Sequence, residues 1–398
     1  MPRASHSPVM RRKAKWKLMP VYAAILLLVL HTFLVAYINS SFLEQFIDAA
    51  SVGAIYTVGS AISVLVFLFI SRVLQKIGNL KLTTALLCAN FAAVFGMSQA
   101  TTLEVAVPLF IVHLITVPLI IFNLDVFMEE RIGNDESATG SSRGLLLTLA
   151  SLVGALSPLI SGWLIGDDAT FTIAYLVSAF TLVPVLVIIL FFFSNFSDPE
   201  YGEVDAFSAM HTFWDRINLR CVFIAQFLLQ MFFMMMVVYT PLYLTGHIGL
   251  SWAEFGVIMF FAQLAYVFLE YPIGIIADRY IGEKEMMGFG FLIIIIATSW
   301  MSFVTVTCVL VWSIIMFTTR VGASLVEVTT ESYFFKQTKS SDAQIISFFR
   351  VTRPLAYVLG AIVGSLSLLY VPFSFIFIVF AALMVPAMFC TLYIEDTK

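Results

Sequence analysis

Twelve apolar runs, each about 20 residues long and so able to cross a bilayer core, dominate this chain. They cover residues 18–38, 52–71, 82–99, 105–128, 144–165, 171–194, 221–244, 255–276, 286–304, 307–333, 343–367 and 371–393. With so many crossings, the 398 residues leave mostly short connections and no soluble domain of useful size. Composition points the same way. The chain is 61% hydrophobic and 12% charged, whereas a soluble domain carries about 25% charge. An ordinary soluble enzyme, a nucleic-acid binder and a disordered chain are excluded. The four cysteines (Cys88, Cys221, Cys308, Cys390) fall in or beside apolar runs, so neither a disulfide framework nor a metal site is expected, and no cofactor is implied. Arg11, Arg12, Lys13, Lys15 and Lys17 before the first run resemble the start of a signal peptide. That run is long for such a peptide and no small-residue cleavage site follows, so it reads as a first transmembrane helix behind a basic tail.

The longest connection, 195–220, opens with Asp198-Pro199-Glu200-Tyr201-Gly202-Glu203, which breaks a helix. Phe207, Met210, Phe213, Trp214 and Ile217 then recur at spacings of three and four, the pattern of an amphipathic helix on a membrane surface. This linker separates residues 1–194 from 221–398, with six runs in each. The expected fold is therefore an all-α integral membrane protein, with twelve transmembrane helices in two six-helix bundles. Eighteen of the 21 Lys and Arg residues lie in the tail, in every second connection or at the C-terminus. The alternate connections carry none, but hold Glu44, Asp48, Glu104, Asp167, Asp168 and Glu254. Basic residues collect in cytoplasmic loops, which predicts both termini in the cytoplasm of a plasma or inner membrane.

An internal repeat fits the division into halves. Residues 149–155 (Leu-Ala-Ser-Leu-Val-Gly-Ala) align with 355–361 (Leu-Ala-Tyr-Val-Leu-Gly-Ala), and the same offset places Asp125 on Glu331.

The connection after run eight reads Gly274-Ile275-Ile276-Ala277-Asp278-Arg279-Tyr280-Ile281-Gly282-Glu283-Lys284. It resembles the signature loop of the major facilitator superfamily, although the second glycine comes one residue late and Glu283 interrupts the basic end. In that reading Gly274 lets helices approach, Gly282 permits an unusual backbone angle, and Asp278 faces a helix N-terminus next to Arg279. The first-half counterpart, Ser71 to Gly78, has Ser71 for the first glycine and Gln75 for the acid. The resemblance implies two bundles rocking about a central cavity. Runs one, four, seven and ten would line it, helped by two, five, eight and eleven, with three, six, nine and twelve outermost. Runs three, six, nine and twelve hold no Asp, Glu, Lys, Arg or His. Residues 154–162 of run five (Gly-Ala-Leu-Ser-Pro-Leu-Ile-Ser-Gly) resemble a degraded Gly-Pro motif of the family's proton-driven exporters; the same residues also read as a small-residue packing surface.

Charges within a membrane span are costly and face partners or a wet cavity. Arg320, mid-way along run ten, is a candidate anchor for an anionic or polar substrate group, or one half of a structural ion pair. Glu327, about two turns on, and Glu270 in run eight are candidates for proton coupling, or for ion pairing with Arg320, Arg350 or Arg353. Arg350 and Arg353, three apart and so on one face, read with Asp125, Glu331, Arg143 and Asp278 as gate and packing charges. His31 and His113 titrate near neutral pH when unperturbed, but a membrane histidine is also a packing residue. Gln226, Gln230, Tyr239, Gln263 and Tyr266 are candidates for the cavity wall or for bonds between helices. Met231, Met234, Met235 and Met236 cannot all face one way, so they read as packing or lipid contacts.

These features predict a secondary active transporter, not an enzyme. It would move a small organic solute by alternating access, coupled to protons, with export favoured by the run-five segment. Its partners would be that solute, protons and lipid, with no nucleic acid. No Walker-type loop is present for ATP. The alternatives are a polytopic lipid-modifying enzyme, for which no catalytic constellation is visible, and a non-transporting receptor or scaffold, which the altered first-half loop leaves open.

Overall fold

The computed structural model describes residues 8–132, 136–166, 170–199, 206–338 and 343–395. The first half contains α1 (Pro8–Ala36), its short continuation α2 (Asn39–Glu44), α3 (Ala49–Ile77), α4 (Asn79–Gln99), α5 (Leu103–Ile132), α6 (Glu136–Ile165) and α7 (Thr172–Phe192). The linker forms α8 (Ala206–Asp215). The second half contains α9 (Ile217–Pro241), α10 (Trp252–Ile276), α11 (Glu283–Met301), α12 (Val309–Gln337), α13 (Ala343–Arg350), α14 (Thr352–Tyr370) and α15 (Ile376–Tyr393). Among the described residues there is no strand, and 12 helices are long and apolar enough to cross a membrane. The protein is a multi-pass integral membrane protein. The end of the bundle where α3 turns into α4 and α10 into α11 is here called the terminal end; the opposite end is the far end.

Local chemistry sets the helix boundaries. Asp48 caps α3 by accepting the Ser51 N–H at 3.0 Å. That bond and the Ser51 hydroxyl hold its carboxyl below the usual carboxylate range. Ser251 and Glu254 close a capping box at the start of α10. At the terminal end, the turns α3–α4 and α10–α11 pass through Gly78 (φ 83°) and Gly282 (φ 107°), a backbone region that favours glycine. The extra residue of the second turn is absorbed in a π-helical segment, Ala277–Ile281. Gly282 N–H reaches back five residues to the Ala277 carbonyl, whereas Gly78 N–H reaches back four to Leu74. A widened turn of this kind accommodates one inserted residue.

Three expectations change. First, run eleven is not one helix but is interrupted at Val351. Pro354 lacks the N–H that would bond the Arg350 carbonyl, and its ring crowds that group. Second, α11 starts at Glu283, so charged residues enter an outer-ring helix; acids in a first turn are favoured by the helix dipole. Likewise Lys81 lies inside α4. Third, the linker helix ends at Asp215 and does not simply float at the membrane surface. Its Phe213 is buried among Phe223, Phe334 and Phe348, with ring centroids 5.2–6.1 Å away, while Trp214 stays exposed. Phe207 lies outside the described side chains.

Within the first half, α1 packs on α5, α6 and α7, α3 on α5, and α4 on α5 and α7. Within the second, α9 packs on α12, α14 and α15, α10 on α12, and α11 on α12 and α15. The halves meet chiefly through α6 against α10 and α3 against α14. Both crossings are made by small residues toward the far end. A Cβ on Gly162 would lie 2.4 Å from the Trp252 carbonyl oxygen, and one on Gly256 would lie 2.5 Å from that of Pro158. Ser365 Oγ donates to the Ala50 carbonyl at 2.5 Å, beside Gly53. Phe171 meets Trp252 edge-on at 5.3 Å. The far end is thus closed by backbone-to-backbone packing.

Candidate functional site

Arg320 sits about eleven residues into α12 and is 2% exposed. No carboxylate of the described residues pairs with it, and its Nη1 has no hydrogen-bond partner. Its guanidinium lies 5.7 Å from the centre of the Phe232 ring, a cation–π contact, and beside the Tyr37 hydroxyl from the first half. That hydroxyl also receives the Gln263 amide N–H at 3.3 Å. Tyr266, on the same helix as Gln263, has a buried hydroxyl without a partner and is in electrostatic reach of Arg320, Glu327 and Glu270. One cluster therefore joins α10, α12 and α9 to the first half.

Glu327 follows Arg320 by seven residues, about 10 Å toward the terminal end. Neither it nor Glu270 forms an ion pair among the described residues. The pairing of either acid with Arg320, Arg350 or Arg353 that the sequence allowed is absent. Instead Glu327 lies in the field of Glu270, Glu331, Arg353 and Arg350. Both acids are only partly buried, and exposure rises toward the terminal end, where the Arg350 side chain is 55% exposed.

Arg350 holds Glu331 through two bonds of 2.5 and 3.1 Å. Arg350 ends α13 and Arg353 lies in the first turn of α14; both are exposed and both lie in electrostatic reach of Glu327. Glu283, which the sequence treats as an interruption, is 1% exposed and pairs with Lys336, with the Ser332 hydroxyl also donating to it at 3.0 Å. These bonds stay within the second half. In the first, Asn79 N–H donates to Asp198 at the start of the linker at 2.7 Å, and Arg131 donates to the Phe192 carbonyl. Asp125 is exposed. The side chains of Arg143, Asp278 and Arg279 lie outside those described. Gly274 is not a close-approach position, because a Cβ there would meet only Val328 at 3.8 Å, an ordinary contact.

The two histidines belong to a buried chain within the first half. Asn90 Nδ2 lies 3.0 Å from His31 Nε2, and its Oδ1 lies 2.8 Å from His113 Nδ1. An amide nitrogen only donates and an amide oxygen only accepts. His31 Nε2 is therefore an acceptor, and His113 Nδ1 carries a proton. His31 Nδ1 then donates to the Ser178 carbonyl at 2.9 Å, and Ser178 Oγ donates to the His31 carbonyl at 2.9 Å. This chain ties α1, α4, α5 and α7. Asn90 had no signal in the sequence beyond being polar in an apolar run. Asn90→Leu strands two buried ring nitrogens, and we expect it to cost about 2–4 kcal/mol. Heat or urea unfolding in detergent reads this directly; an unchanged midpoint would remove the chain from the stabilising contacts.

Gln226 accepts the Thr330 hydroxyl at 2.9 Å, a bond from α9 to α12, and Gln230 is buried. Met231, Met234, Met235 and Met236 are all buried as well. None faces lipid, because α9 is enclosed by α12, α14, α15 and α2. Among the described residues no cluster of His, Cys, Asp and Glu could hold a metal ion.

A family model described as Major Facilitator Superfamily matches residues 135–336 and 222–398. No curated protein sequence matches the chain. Solved structures with a similar fold include the nucleoside transporter NupG, 12% identical with a TM-score of 0.73, covering 94% of this chain and 98% of that one. The POT family transporter PepTSo is 10% identical with a TM-score of 0.76, covering 95% and 97%. A POT family transporter in complex with 5-aminolevulinic acid is 12% identical with a TM-score of 0.78, covering 94% and 95%. At these identities the likeness concerns the fold.

Proposed function

The chain belongs to the Major Facilitator Superfamily, and on that premise we propose that it is a proton-coupled secondary transporter that exports a small organic solute by alternating access. The observation that carries this reading is Arg320, a buried cation without a carboxylate partner among the described residues, set where α9, α10 and α12 meet Tyr37 of the other half. A buried cation held only by an aromatic face and a hydroxyl, with no described carboxylate to neutralise it, is costly, so the site suits an anion that comes and goes. Two carboxylates without ion pairs, Glu327 and Glu270, stand between Arg320 and the terminal end. Each can take up or release a proton as its surroundings alternate between wet and dry.

We place the terminal end in the cytoplasm, following the basic residues. The far-end crossings Gly162–Trp252 and Gly256–Pro158 then hold the outer gate shut while the site faces inward. Residues 1–194 and 221–398 act as the two moving bodies, with the linker docked on the second through Phe213. Closing the inner end brings Asp125 and Arg143 toward Glu331, Arg350 and Arg353, which serve as gate charges. Gln263 positions Tyr37, while Gln226 and Gln230 stiffen the α9 wall. His31 and His113 keep the first half rigid. Export as the direction is supported by the Gly-Pro segment of α6 lying at the joint between the halves.

The test is flux in proteoliposomes holding the purified full chain, with a pH-sensitive dye inside and a panel of sugars, organic anions and lipophilic cations outside. Solute movement that drives proton movement the opposite way supports export coupled to protons. Folded protein that moves nothing across the panel would favour the receptor or scaffold reading.

A further inference from the structure

The surroundings of Arg320 are specific enough to name a substrate class, an inference that rests on the transport reading above. Three features converge. The guanidinium is buried, its Nη1 is unpartnered, and no described carboxylate reaches it. It therefore has positive charge and donor capacity to spare. An Arg fork suits a planar carboxylate better than any other small anion group, because two parallel N–H donors match its two oxygens. The wall around it is aromatic: Phe232 beside the guanidinium, Tyr37 against Phe255 with ring centroids 6.0 Å apart, and Tyr266 against Phe233 at 6.3 Å. The unpartnered Tyr266 hydroxyl adds one polar contact. Glu270 and Glu327, on the terminal-end side, limit the charge of what enters, since a second negative charge would be repelled by both carboxylates.

We propose that the substrate is an organic monocarboxylate with an aromatic or similarly flat apolar body. Its carboxylate binds Arg320, and its body lies against Phe232, Tyr37 and Tyr266. Sugars and cations lack the group that answers Arg320, and dianions carry one charge too many.

The test is thermal unfolding of the full chain in detergent and chloride-free buffer, with benzoate, phenylacetate and indole-3-acetate set against their amides. Chloride and phenyltrimethylammonium are the charge controls. A ligand that binds only the folded state raises the midpoint. The expected result is stabilisation by at least one carboxylate, none by its amide, and none by chloride or the cation. In Arg320→Gln, binding of that carboxylate weakens roughly 30-fold, the loss typical of a charge-assisted bond. The comparison of acid with amide is made on the unaltered protein, so it stands even if the variant folds poorly. Equal stabilisation by acid and amide, an equal shift from chloride, or silence from all three carboxylates overturns the proposal. Flux of the same panel separates it from the transport reading. Carboxylate binding without flux of anything supports the anion site and defeats transport. Flux of the cation or an amide, with none of a carboxylate, supports transport and overturns the anion site.

Discussion

Glu327→Gln is expected to abolish uphill transport while exchange of solute across the same membrane continues. The side chain keeps its size and its ability to hydrogen-bond, so the path for the solute is unchanged. What is lost is the titratable oxygen. Glu327 makes no ion pair among the described residues, yet it lies in the field of Glu270, Glu331, Arg350 and Arg353, so its charge responds to any movement of the α13–α14 segment. A gradient of one pH unit can drive about a tenfold solute gradient for each proton exchanged, and in the variant that ratio collapses to unity. Glu270→Gln is expected to act in the same direction, since its carboxylate faces the same cluster from α10. The measurement is counterflow, which needs no driving force, beside accumulation driven by a pH jump. If both variants accumulate solute as the parent does, neither acid couples transport to protons.

The second large effect is expected at the far-end crossing of α6 and α10. Gly256→Leu places a branched side chain where even a Cβ would lie 2.5 Å from the Pro158 carbonyl oxygen. The obstacle is backbone, which cannot swing aside, so the helices must separate. Overpacking of this kind costs about 1–3 kcal/mol. The penalty falls only on the state in which the far end is closed, so the variant shifts toward the opposite state. Amide hydrogen exchange over 158–162 and 252–256 should rise well above the parent, and the unfolding midpoint should fall. Unchanged protection in both segments would mean that the crossing yields without separating the helices.

Much of this protein is legible in its amino-acid sequence. The twelve runs are long and apolar, and the described helices cover each of them with shifted ends. The late glycine of the second signature loop was visible as a one-residue displacement; only the backbone shows that the Ala277–Ile281 segment absorbs it by widening its hydrogen bonds. The proline at 354 was equally visible, and its effect follows from the missing N–H, yet run eleven reads as continuous because its hydropathy is. The partners of Glu283 are hidden for a related reason. A charge at the end of an apolar run is normally solvated, and nothing in the chain announces that Lys336, fifty-three residues later, folds back onto it.

The sequence by itself determined that the chain crosses a membrane many times, which connections share a side, and which few ionisable residues lie within the spans. These properties depend on local hydropathy and on the cost of burying charge, so each is written in a contiguous stretch. The tertiary structure alone decided what those residues meet. Tyr37 and Gln263 are 226 positions apart, and His31 and Ser178 are 147 apart. In a chain this apolar almost every helix face is a plausible interface, because lipid and protein solvate it equally well. The choice among faces is made by shape, through glycines that let backbones touch and by polar groups that must find one another. For that reason an arginine within a span could be counted in the sequence, but only the packed helices left it without a carboxylate partner among the described residues.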